Sequence, residues 1–170
     1  MTTGAVQQHF KTKAELMRAV IAERLFEVDE TFDWDGMVDM SVADRCERMV
    51  SHQWEFYKNP KYLAIWDIIL GARTEDFIQK EIREWQREGT QAFERAVERA
   101  FPDQGLRSAD VSAVQYFLNG HLRGLALLRT VQDDPKIIKQ QLAMLSALLT
   151  EFIQSDAVSL TRTSLQHRLG

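Results

Sequence analysis

The sequence predicts an all-α protein, and three observations carry that prediction. No stretch alternates apolar and polar residues long enough to make a half-buried strand. Apolar side chains recur instead at spacings of three and four along most of the chain. The three prolines, Pro60, Pro102 and Pro135, stand just before or after such patterns, where proline punctuates a helix rather than breaking it.

Taken in order, the first long helix is expected over about Lys13 to Phe32. Met17, Ile21, Leu25, Val28 and Phe32 make its stripe, Leu16 and Val20 widen it, and Asp33-Trp34-Asp35-Gly36 ends it. Ser41 reads as the N-cap of a second helix, with Asp44 three residues on in place of the usual Glu. Val42, Met49, Val50, Gln53 and Tyr57 follow helical spacing there, and Asn59-Pro60 closes it. The next helix, about Lys61 to Leu70, is apolar nearly all round, which predicts a central, buried element. Thr74 is expected to cap a long helix to about Phe101, with Phe77, Ile78, Ile82, Trp85, Phe93, Ala96, Val97 and Ala100 inward and Glu, Arg and Lys outward. Ser108 is expected to cap a helix over about Ala109 to Val131. Asp133-Asp134-Pro135 should open the last one, with proline in the first turn and a stripe of Ile138, Leu142, Leu145, Leu149 and Phe152. From Ser155 to Gly170 the pattern fades into a loose tail.

With 170 residues, 45% hydrophobic and 27% charged, the chain is long enough to bury roughly 70% of its unfolded surface, and one compact domain is the default. The single Cys46 excludes an internal disulfide. No apolar run reaches the length of a membrane span, and the first residues lack the layout of a signal peptide, so a cytoplasmic protein without membrane contact is expected. A net charge of -4 argues against a protein that coats nucleic acid generally. That average hides an asymmetry: residues 1–24 carry Lys11, Lys13, Arg18 and Arg24 against Glu15 and Glu23, so any DNA affinity belongs to the amino end.

The same stretch, Thr2 to Arg24, runs from small and polar residues through His9-Phe10 and a basic turn into the first long helix. Small side chains let a helix sit deep in a groove, amides can bond base edges, and Lys, His and Thr can meet phosphates. The run Gly4-Ala5-Val6-Gln7-Gln8-His9-Phe10-Lys11-Thr12-Lys13-Ala14-Glu15-Leu16 resembles the end of the DNA-binding domain of tetracycline-repressor (TetR) type regulators. Gly4, His9, Phe10, Lys13 and Leu16 fall on that family's pattern, whereas Gln7 stands where Tyr is more usual and weakens one expected phosphate contact. The resemblance implies a TetR-like helical ligand-binding and dimerisation domain preceded by a remnant of a helix-turn-helix domain. Residues 1–12 would be the recognition-helix remnant, 13–32 the connecting helix, 33–154 the ligand-binding and dimerisation domain and 155–170 the tail. Thr2, Thr3, Gly4, Gln7, Gln8, His9 and Lys13 are then the expected DNA contacts, with His9 and Lys13 nearest phosphates. Family members carry two further helices ahead of this point, so the DNA-binding part is expected to be cut short, by a miscalled start or a real truncation, with operator binding impaired.

In the second half, Gly120 and Gly124 lie four apart among apolar residues, and the last helix is apolar on more than one face. The residues alone leave two readings open, the cover of a monomer core or half of an intermolecular four-helix bundle. The resemblance implies the second, a homodimer through Leu118, Gly120, Gly124, Leu128, Leu142, Leu145 and Leu149. Large aromatics crowd the middle of the chain. At helical spacing they are ordinarily core, yet several flat side chains are difficult to pack without a void, and such a void suits a small hydrophobic or aromatic effector. Trp54, Tyr57, Tyr62, Trp66, Trp85, Phe117 and His121 are the expected lining, His121 either orienting a ligand or bonding across a dimer interface or to a backbone carbonyl.

Catalysis leaves few marks. His9, His52, His121 and His167 are scattered, and the His52/Glu55 pair on one helix offers two metal ligands without a third. No metal, no cofactor and no enzymatic activity are expected. The resemblance implies a ligand-responsive regulator released from operator DNA by its effector, through a coupling of about 1 to 3 kcal/mol. Two other classes stay open: a ligand-binding and dimerising module that acts through heterodimers without touching DNA, and a small helical enzyme using His52, Glu55 or His121.

Overall fold

The structure, a computed structural model, describes Thr12, Glu15, Ala19, residues 32–71, Thr74 and residues 76–155, without the side chains of Ile68, Phe77, Ile78 and Glu81. Among the described residues there is a short 3-10 turn, Asp35–Met37, followed by α1 (Val42–Tyr57), α2 (Pro60–Gly71), α3 (Asp76–Ala100), α4 (Ser108–Leu128) and α5 (Pro135–Gln154), and no strand. No described helix is long and apolar enough to cross a membrane. Ahead of these, Glu15 and Ala19 are helical, and the Glu15 N–H donates to Thr12 Oγ1 at 3.1 Å, the local arrangement of an N-cap just where the first helix is expected to open.

The chain divides into two compact units, Met1–Phe32 with Asn59–Gly89 and Asp33–Lys58 with Thr90–Gly170. The division at Gly89 falls inside the continuous helix α3.

In the first unit α2 buries Tyr62, Ile65 and Ile69. Burial all round is not what the structure holds: Leu70 is 55% exposed, and Lys61, Ala64 and Asp67 are exposed. A twelve-residue helix packed on one side can leave apolar side chains out, and composition alone does not say which. Ile82 from the start of α3 is also buried.

The second unit is built on α1, which packs chiefly against α5 and also against α4. Ser41 caps α1 as expected, its Oγ accepting from the Asp44 N–H at 3.2 Å and donating to Asp44 Oδ2 at 2.6 Å. From there Val42, Cys46, Met49, Val50, Trp54 and Tyr57 turn inward. Leu118 and Leu122 of α4 and Leu145 and Leu149 of α5 complete the innermost layer. Full burial of one such leucine stabilises the fold by about 1.5 to 3 kcal/mol. Cys46 lies in that layer, where burial pushes its thiol up, against opposing contributions from Thr150 and Arg45.

Asp134 caps α5 as expected, accepting from the Lys136 N–H at 2.9 Å, with Pro135 in the first turn. The start of α4 differs from expectation. Arg107, not Ser108, holds the cap position: its N–H donates to Asp110 Oδ2 at 3.1 Å, and its guanidinium donates to both oxygens of the same carboxylate at 2.8 Å. Ser108 is the first helical residue and donates to Glu94 Oε1 at 2.8 Å, tying α4 to α3. The preceding loop turns at Gly105, whose φ of +59° is the left-handed conformation that favours glycine.

At the amino end of α1 lies a charged residue that sequence patterning did not single out. Arg45 is 5% exposed, and its Nε donates to Met40 O at 2.9 Å. Nη2 donates to Val38 O at 2.7 Å and to Asp103 Oδ2 at 3.2 Å, while Nη1 donates to Ala100 O at 3.2 Å and to Asp103 Oδ1. All five guanidinium N–H groups therefore have acceptors. The guanidinium also lies 5.7 Å from the centre of the Phe101 ring. This single side chain joins the turn before α1 to the end of α3 and the loop after it.

Candidate functional site

Of the residues expected to line a ligand site, Trp54, Tyr57, Phe117 and His121 belong to the second unit and Tyr62, Trp66 and Trp85 to the first, and each group is described within its own unit.

In the second unit, the carboxyl end of α1 is pinned to α4 by polar contacts at an aromatic layer. Trp54 and Tyr57 are buried. The Tyr57 hydroxyl donates to Asn119 Oδ1 at 2.7 Å, and the Phe56 ring meets the Tyr57 ring edge-on at 5.3 Å. Arg129 lies 5.8 Å from the centre of the Trp54 ring, donates to Lys58 O at 3.4 Å, and pairs with Asp133 at 3.1 Å. Asn119 and Arg129 were not expected here. Asn119 follows Leu118 by one position and Arg129 ends its helix, so neither falls on the apolar stripe that drew attention to α4.

Phe117 and His121 stand one turn apart on α4, ring centres 6.4 Å apart and tilted by 40°. His121 Nε2 is buried with no hydrogen-bond partner. On another face of the same helix, Gln115 is 9% exposed, and its Oε1 is likewise buried and unpartnered. A buried polar atom without a partner costs about 1 to 3 kcal/mol, so both atoms have bonding capacity that the described residues do not use.

In the first unit, Tyr62 is buried while Trp66 and Trp85 are half-buried. The Tyr62 and Trp66 rings meet edge-on at 6.3 Å.

The His52 ring stands edge-on to Trp34 at 5.6 Å, and Glu55 pairs with Lys58 at 2.5 Å. Among the described residues no group of three or more His, Cys, Asp or Glu side chains is placed to hold a metal ion.

The residues expected at a dimer interface separate into two sets. Leu118, Leu145 and Leu149 are each 1% exposed, held in the chain's own core by α1, and have no surface to offer a partner. Leu142 is half-buried, whereas Gly120, Gly124 and Leu128 are exposed. The exposed face contains residues that the expectation omitted: Tyr116 at 79%, Leu127 at 61% and Val131 at 88% on and just after α4, and Met144 at 53% on α5. Phe117, Ile137 and Leu148 are exposed beside them. Both helices are apolar on two faces, and the expected list had drawn from both.

The expected DNA contacts Thr2, Thr3, Gly4, Gln7, Gln8, His9 and Lys13 lie outside the described residues, as does the tail beyond Ser155.

Compared with known proteins, the sequence matches no family model and no curated protein, and the fold matches no solved structure.

Proposed function

We propose that this chain is the dimerising, ligand-sensing body of a TetR-type transcriptional regulator, a homodimer whose hold on operator DNA is weakened when a small hydrophobic or aromatic effector binds. The observation that carries the reading is the outward face of α4 and α5, where large apolar side chains from Tyr116 to Leu148 stand 44% to 88% exposed. A soluble monomer rarely leaves so much apolar surface uncovered, and such surface marks an interaction site. The sensing half of the proposal is supported by Phe117 and by the buried, unpartnered Nε2 of His121. The DNA-binding half is supported by the resemblance of Gly4 to Leu16 to the reading end of a helix-turn-helix.

Sedimentation at micromolar concentration tests the dimer directly, with twice the 19.7 kDa chain mass expected. Gel retardation with duplexes selected from a random pool, with and without a panel of aromatic acids, tests the rest. A monomer sinks the proposal. A dimer that retards no duplex replaces it with a dimerising module that acts without DNA.

A further inference from the structure

The long helix α3 is anchored towards its two ends and not in its middle. Ile82 is 5% exposed and Phe93 is 8% exposed, and no side chain of residues 83–92 between them is buried. That gap is about three turns, roughly 16 Å of helix. The polar ties flank it: Arg87 pairs with Glu84 at 2.6 Å, one turn back on the same helix, and Glu94 accepts from Ser108 at 2.8 Å. Gly89 stands inside the gap, exposed, and a Cβ added there would meet nothing within 4 Å. No close packing among the described residues requires a glycine at this position. Glycine is nonetheless among the least favourable residues inside a helix, and Thr90 beside it is a weak helix former as well.

The chain passes between its two compact units at three points. Two of them, from Phe32 to Asp33 and from Lys58 to Asn59, lie outside the helices, whereas the third, from Gly89 to Thr90, lies inside α3. Irregular backbone turns at small cost and a wound helix does not, so α3 is the stiff connection of the three. We propose that α3 is hinged at Gly89: the turn from about Arg87 to Gln91 opens and recloses by itself while the helix on either side stays wound. Most of a helix's stability in a protein comes from packing of an apolar face, and short helices without it are marginal in water. The turn at Gly89 lacks that packing and has poor propensity too. Local opening draws on the least stable segments of a fold, and a hinge is a few residues that absorb the change in φ and ψ. The inference uses neither the DNA reading nor the dimer reading above, and stands or falls apart from them.

Amide hydrogen exchange of the full chain, read by mass spectrometry in wild type and Gly89→Ala, tests the opening. Amides of residues 87–92 are expected to exchange about tenfold faster than those of 94–100, although one helix carries both. Alanine at position 89 is expected to slow the first group about fivefold, the ratio set by the two residues' helix propensities, and to leave the second group unchanged. Spin labels on Lys80→Cys and Glu98→Cys, both exposed and on one face of α3, report the bend itself, and the fully buried Cys46 stays unlabelled. A straight helix sets those positions about 27 Å apart along its axis. With doubly labelled chains diluted in unlabelled ones, the distances are expected to be broad and to reach below that separation in wild type, and to sharpen near it in Gly89→Ala. Uniform exchange along α3 overturns the hinge, as does slowing by Gly89→Ala that spreads equally over the whole helix, because the helix would then open only with the rest of the fold. A sharp label distance in wild type overturns it as well.

Discussion

Two polar regions of the second unit make opposite use of the same physics. Around Arg45 every guanidinium N–H has an acceptor, three of them backbone carbonyls that would otherwise be short of donors. Along α4, Gln115 Oε1 and His121 Nε2 are buried with nothing to bond. Desolvation is the same opposing cost in both places, but only at Arg45 is it offset within the chain. A closed network specifies a structure, whereas an unfilled one leaves room for something from outside. The comparison sets a network closed within the chain at Arg45 against two polar atoms of α4 left unpaired among the described residues.

The most severe way to break that comparison is Arg45→Ala. It leaves the carbonyls of Val38, Met40 and Ala100 without these donors, and it is expected to cost about 1 to 3 kcal/mol in guanidinium unfolding. A loss below about 1 kcal/mol would show that the network is ornamental.

Next in size, Tyr57→Phe removes the hydroxyl bonded to Asn119, and a loss of about 1 kcal/mol is expected by the same measurement. Gln115→Leu should behave in the opposite sense. Replacing an unpartnered acceptor by an apolar group of similar size is expected to leave stability unchanged or raise it by up to about 1 kcal/mol. A clear loss there would mean that Oε1 has a partner after all and that α4 is as closed as the Arg45 region.

The smallest effect is one of pH. Arg45 beside Asp103 holds that carboxyl at about 2, below the 3.8 of the free side chain. Because the folded value is the lower one, the contribution is fully present above about pH 4 and is lost as pH falls towards 2. Asp103 is mostly open to solvent, so the change should be modest. Acid unfolding of wild type should steepen across that window relative to Asp103→Asn, and parallel curves would remove the ion pair from the account.

Much of the fold was legible in the sequence, and what was legible is local. Ser41 with Asp44 and Asp134 with Pro135 announce their helix starts because a cap needs only residues two to four positions away. The inner stripe of α5 is equally plain, for Leu145 and Leu149 repeat at the helical period. Ser108 misled because a serine before an apolar run has the right chemistry for a cap, yet its hydroxyl goes to Glu94, fourteen residues back.

The sequence by itself determined that α4 and α5 are apolar on more than one face, since periodicity is a property of one helix alone. Only the tertiary structure decided that Leu118, Leu145 and Leu149 turn towards α1 while Tyr116, Leu127 and Met144 turn out, because inside and outside are defined by neighbours. Arg45 belongs to the same class: its acceptors on Ala100 and Asp103 lie 55 and 58 residues away, and no local pattern encodes a bond of that span.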